Sequence, residues 1–252
     1  MTASPDKTPL FDRSGAVRRP PLHLLVRNLA DFFLPADRSG ATRALAAAPR
    51  GDGHPVLVLP AFLKGDRSTA YLREWLRALG YTPYEWRLGT NIGPTEAALR
   101  GSERRLVELR RRHGRKVSLI GHSLGGVIAR ETAKQTPASV RQVITLCSPF
   151  QPPIASNVEL PFRLLARWHS PTVPGLWAGL ATPPPVPSTA IYTRDDGIVS
   201  WQSCLEVPGA ERDNVEVAGC HTTMASNTAA LVVIADRLAQ PEGDWRPYAA
   251  HA

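Results

Sequence analysis

The chain has 252 residues, is 43% hydrophobic and carries a formal net charge of +8. That length suffices for one large domain with a substantial core, and the ordinary apolar content excludes a disordered or fibrous polypeptide. No apolar run is long enough to cross a bilayer, and the 3 cysteines, odd in number and widely spaced, fit neither a disulfide framework nor a zinc site.

Residues 1 to about 50 form an extension rich in Pro, Arg and Ala. Its charged start (Asp6, Lys7, Asp12, Arg13, Arg18, Arg19) lacks an apolar stretch and a small-residue cleavage site, so a secretory signal is not expected and a cytoplasmic location is. Leu22, Leu25, Val26, Leu29, Phe32 and Phe33 follow helical spacing, with Pro20 and Pro21 ahead and Pro35 behind. This single amphipathic helix is expected to bury its stripe on the main domain in preference to a membrane surface.

The main domain, 51–252, alternates strand and helix. His54 to Leu59 predicts a strand, Arg67 to Leu79 a helix stopped by Gly80, and Tyr81 to Leu88 a second strand. Thr95 predicts the N-cap of a helix carrying Leu99, Leu106 and Leu109. The basic cluster Arg110 to Lys116 complements that helix's negative end, and without interleaved aromatics it does not indicate nucleic acid. Lys116 to Ile120 is a buried strand, Leu124 to Thr136 a helix, and Val140 to Leu146 another strand. Short strands follow at Ala190 to Thr193 and Val215 to Val217, then a terminal helix from Asn227 to Leu238. The alternation predicts a mostly parallel central sheet flanked by helices, with ligands beyond the carboxyl ends of the strands.

Between Ser148 and Pro187 lie ten prolines, which forbid regular ladders. We read 148–187 as a cap inserted at a carboxyl strand end, with Phe150, Phe162, Trp168 and Trp177 as candidate substrate-binding residues.

Gly121-His122-Ser123-Leu124-Gly125 joins a strand to a helix. In such a turn serine is held at a strained backbone angle, exposed beside the positive end of the helix. Serine needs a base to take its proton and a carboxylate to orient that base. In the order Ser, acid, His, the acid is expected at Asp196, with Asp195 as the alternative, because an Asp-Gly turn fixes the carboxylate in a tight loop. The histidine is expected at His221, with His169 in the cap as its rival. The backbone N–H groups of Leu124 and Phe62 are the candidate oxyanion donors. Cys147 reads as a buried small hydrophobe, and Cys204 and Cys220 are expected in neighbouring loops, with pairing disfavoured in a reducing compartment.

Five stretches together resemble the α/β-hydrolase superfamily, in particular its lipase- and esterase-like serine hydrolases, over roughly Gly51 to Ala239. They are Leu59-Pro60-Ala61-Phe62, Leu88-Gly89-Thr90-Asn91-Ile92-Gly93-Pro94, Gly121-His122-Ser123-Leu124-Gly125-Gly126, Asp196-Gly197-Ile198-Val199 and Gly219-Cys220-His221. The resemblance implies an α/β-hydrolase fold and a Ser123–Asp196–His221 triad that works without metal or diffusible cofactor. Family members usually carry His-Gly or Pro-Gly where this chain has Pro60-Ala61. The expected activity is cleavage of hydrophobic carboxylic esters through an acyl-enzyme. Acyl transfer and thioester hydrolysis are alternatives using the same triad, and a non-catalytic binding protein is an alternative from another class.

Overall fold

The computed structural model describes residues 17–31, 38–166, 176 and 179–249. Largely apolar stretches become β1 (Pro55–Leu59), β3 (Val117–His122) and β4 (Val140–Leu146), and every residue of β1 and β3 is buried. Burial on both faces is what a parallel sheet covered by helices requires. With β2 (Thr82–Glu85), β5 (Ser188–Tyr192) and β6 (Arg212–Glu216), the described strands form one sheet ordered β2-β1-β3-β4-β5-β6, every neighbouring pair parallel. Pro83 and the polar β6 lie in the two edge strands, where a missing donor or a charged side chain is tolerated.

Strand side chains alternate between two cores. Val56, Val58, Ile120 and Ile144 pack with Leu76 and Leu79 of α3 (Ala70–Leu79) and Leu231 and Ile234 of α7 (Thr228–Ala239). Leu57, Leu59, Leu119 and Val143 pack with Leu106 and Leu109 of α4 (Glu96–His113) and Ile128 of α5 (Leu124–Gln135). Both cores leave the loops at the carboxyl ends of the strands free to build a site.

Several boundaries differ from expectation for local reasons. The second strand stops at Glu85 because the Trp86 and Arg87 amides turn to the Asp66 carboxylate, at 3.1 and 3.3 Å. The helix expected from Arg67 opens as a 3-10 turn, Asp66–Thr69, before α3 begins. The extension holds two helices rather than one: α1 (Leu22–Asp31) and α2 (Arg38–Ala47). The latter, rich in alanine and without an apolar stripe, is anchored by buried Ala41, whose carbonyl accepts from Trp75 Nε1 at 3.3 Å.

The apolar stripe of α1 is not buried as expected. Leu22, Val26 and Leu29 are 71, 67 and 52% exposed, whereas Leu25 packs against the Tyr192, Ile198 and Val199 cluster and polar Asn28 is fully buried. Phe32 and Phe33 lie outside the described residues. So do Trp168, His169 and Trp177, leaving the 148–187 excursion described chiefly by α6 (Glu159–Ala166) and its flanks.

Candidate active site

β1 leads outward to β2, while its neighbour β3 leads the other way to β4. The loops after β1 and β3 therefore diverge and leave a crevice at their carboxyl ends. Ser123 follows β3 and caps α5 with φ 52° and ψ −121°, a conformation costly for a residue with a side chain. The turn persists because its surroundings over-determine it. Ser123 N donates to the Leu146 carbonyl at 2.8 Å. A side chain on Gly121 would strike the Gly125–Gly126 backbone, and one on Gly125 would strike the Leu59 carbonyl oxygen.

Two loops from the far side of the sheet meet this serine. His221, after β6, places Nε2 3.0 Å from Ser123 Oγ and Nδ1 2.7 Å from Asp196 Oδ2. With a carboxylate at Nδ1, the ring proton belongs there and Nε2 is left as acceptor for the serine hydroxyl. Asp196 is held in turn, its Oδ1 accepting from the Ile198 and Val199 amides at 2.8 Å each. All three side chains are buried or nearly so. Asp195 takes no part in this chain: its carboxylate is half exposed and accepts from Arg27 at 2.8 Å. It is the Asp196 side chain, not that of its neighbour, that meets the amides of Ile198 and Val199, a distinction invisible in the sequence.

His122 is a contributor that sequence reasoning missed. Its Nε2 lies 2.8 Å from the His221 carbonyl oxygen and donates to it. Burial, with lesser repulsion from His221, pushes its pKa down to about 4, so the ring stays neutral. Asn91 is another, and its only sequence signal was its place in the Asn91-Ile92-Gly93-Pro94 stretch. Asn91 is fully buried, donates from Nδ2 to the Pro60 carbonyl at 2.7 Å and accepts the Leu63 amide on its own carbonyl at 2.7 Å. It thereby braces the turn after β1 that carries Phe62, where Leu63 adopts φ 57°.

Above Ser123 opens a cleft walled by Phe62, Leu124, Val127, Ile154, Phe162 and Val199. Phe62 and Phe162 meet with ring centroids 5.5 Å apart, so α6 leans on the turn after β1. Phe150 is corrected from a pocket residue to a core one. It is fully buried behind Leu124 and Val127, with the Arg130 guanidinium 3.7 Å over its ring. Trp168 and Trp177 fall outside the described residues.

Cys147, Cys204 and Cys220 are free and buried. Cys147, Asp196 and His221 bring possible metal-ligand atoms within 4.8 Å of one another. Asp196 and His221 are already committed to each other, and burial raises the Cys147 thiol well above its usual range. A metal there would have to break that hydrogen bond and ionise a buried thiol.

The family described as a PGAP1-like alpha/beta domain matches residues 103–169, from within α4 through the serine turn and into the 148–187 excursion. No curated protein matches the chain. Among solved structures it is similar to a monoacylglycerol lipase of Paleococcus ferrophilus, with 16% identity and TM-score 0.54, covering 76% of this chain and 95% of that one. It is also similar to lipase B of Aspergillus fumigatus, with 16% identity and TM-score 0.60 over 79% of this chain and 56% of that one. A pyrethroid hydrolase of Sphingobium faniae JZ-2 gives 18% identity and TM-score 0.51 over 75% and 98% of the two chains.

Proposed function

We propose that this chain, which has the α/β-hydrolase fold, is a serine hydrolase that cleaves carboxylic esters bearing a hydrophobic group, through an acyl-enzyme. One observation carries the reading: Ser123 Oγ stands 3.0 Å from an imidazole whose other nitrogen is 2.7 Å from a buried carboxylate, at the floor of an apolar cleft. Ser123 Oγ attacks the ester carbonyl while His221 Nε2 takes the hydroxyl proton. Asp196 holds the Nδ1–H tautomer and offsets the imidazolium charge. The main-chain N–H groups of Leu124 and Phe62 receive the developing oxyanion, the first of them aided by the positive end of α5. His221 returns its proton to the leaving alcohol, then activates water to release the acid.

The cleft's aromatic and aliphatic walls favour an acyl or alcohol part without charge. The names of the similar structures, two lipases and a pyrethroid hydrolase, are in keeping with hydrolysis. Among the described residues no helix is long and apolar enough to cross a membrane.

The test is turnover of p-nitrophenyl esters from acetate to palmitate by the wild-type chain and by Ser123→Ala. The variant is expected to keep its fold and lose at least roughly 10⁴-fold in kcat. Equal turnover in both would rule the mechanism out. Running a triglyceride emulsion and an acyl-CoA alongside separates ester from thioester cleavage by leaving group.

A further inference from the structure

The acid and histidine loops leave adjacent strands at the edge of the sheet. The paired register ends at Tyr192 and Glu216, the Val217 amide donates to the Tyr192 carbonyl at 2.9 Å, and Thr193 Oγ1 donates to the Gly219 carbonyl at 3.2 Å before the loops part. A side chain from α1 spans that gap. Asn28 is fully buried, and its carboxamide meets both loops. Nδ2 donates to the Asp195 carbonyl at 3.1 Å. Oδ1 accepts from the Gly197 amide at 3.0 Å and from the His221 amide at 2.9 Å. The main chain joins in, since Thr222 Oγ1 donates to the Asn28 carbonyl at 2.6 Å. Asn28 therefore grips the residue on each side of Asp196 and the backbone of His221 at once. From the opposite side, the His122 ring holds the carbonyl of the same His221.

We infer that Asn28 is a positioning residue that sets the spacing between the acid loop and the histidine loop, and that α1 docks to deliver it. The inference rests on reading Ser123, His221 and Asp196 as a triad. Three features of α1 point the same way. Its outward stripe of Leu22, Val26 and Leu29 is exposed, so hydrophobic burial by that stripe does not explain why the helix lies here. A side chain on Gly197 would collide with the Leu24 carbonyl, so the acid loop is shaped to receive the helix backbone. The neighbouring Arg27–Asp195 pair is exposed and contributes little. Removing the carboxamide would strand two buried amide donors, on Gly197 and His221, and the loops would shift to find water. A shift of about 1 Å in a reacting geometry costs on the order of 100-fold in rate.

The experiment compares the full chain with Asn28→Ala, Asn28→Asp, Thr222→Val and, as a control on the same helix, Arg27→Gln. Active sites are counted by fluorophosphonate titration. Each protein is read for kcat and KM on p-nitrophenyl butyrate and for the low-field ¹H resonance of the proton between His221 and Asp196. Asn28→Ala is expected to lose roughly 10- to 100-fold in kcat per folded molecule, with KM within about twofold and the low-field resonance broadened or gone. Asn28→Asp keeps the acceptor oxygen for the two amides and should recover part of the loss. Arg27→Gln should match wild type. Unchanged kcat and an intact resonance in Asn28→Ala overturn the inference, even if its Tm falls. If Asn28→Ala does not fold, reduced kcat in Asn28→Asp and Thr222→Val supports the inference, and wild-type kcat in both overturns it. A wild-type chain that neither cleaves the ester nor reacts with the fluorophosphonate would overturn the triad reading itself.

Discussion

The serine turn and the loops that face it are built on different principles. The turn is local. Five consecutive residues, two adjoining buried elements and backbone contacts too close for any side chain hold Ser123 at its angle. The facing loops are assembled from afar. Asp196 and His221 come from separate strands, and their main chains are held by Asn28 and His122, 193 and 99 residues from His221 in sequence. A strained nucleophile tolerates almost no change in its own turn, whereas the acid–base pair depends on a carboxamide from α1 that belongs to no motif and on the ring at the variable second position of the serine turn.

The sharpest way to break the comparison is at the acid. Asp196→Asn keeps the shape but removes the charge that fixes the histidine tautomer, so kcat should fall by roughly 10³- to 10⁴-fold. Asp195→Asn should stay within about twofold, because that side chain holds only an exposed arginine. Steady-state kinetics on both checks the assignment, and reversed effects would transfer the role to Asp195.

The local half is challenged by Gly125→Ala. The added methyl meets the Leu59 and Pro60 carbonyls, which are main chain and cannot swing aside. Thermal or urea unfolding should show a loss of roughly 3 kcal/mol, the upper end of overpacking costs, with activity lost as the turn after β1 is displaced. Near-wild-type stability would mean that this approach is looser than described.

A smaller effect comes from His122. Its folded pKa of about 4 lies below the 6.5 of an unperturbed histidine, so between those values the unfolded chain binds more protons. The contribution to stability is complete above pH 6.5, falls as the pH drops toward 4 and is flat below that. Urea titrations across this range should show His122→Gln losing less stability on acidification than wild type, by about 3 kcal/mol. Parallel curves for the two proteins would contradict it.

The same division governs what could be read from the sequence. β-Branched and apolar stretches identified β1, β3 and β4, because strands buried on both faces favour such residues. The Gly-x-Ser-x-Gly stretch was legible because its glycines answer to main-chain packing, Gly121 against Gly125–Gly126 and Gly125 against the end of β1, that excludes any side chain. The helical spacing of α1 was legible, but not which face docks, since a buried carboxamide with three polar contacts outweighed three leucine- and valine-sized groups left in solvent. α2 gave no periodicity, being mostly alanine and arginine. Asp195 and Asp196 differ only in which one meets the amides of Ile198 and Val199, a matter of backbone path. Phe150 looked like a pocket aromatic because its segment is irregular, yet the Arg130 guanidinium and a ring of aliphatic neighbours enclose it.

The central claim is that one serine is activated by one imidazole. Treating the native chain with a fluorophosphonate and mapping the adduct by peptide mass spectrometry tests this directly. A single adduct on Ser123, slowed by Asp196→Asn and absent in Ser123→Ala, is the predicted result. Ester cleavage that proceeds with Ser123 unmodified, or an adduct on any other residue, would contradict it.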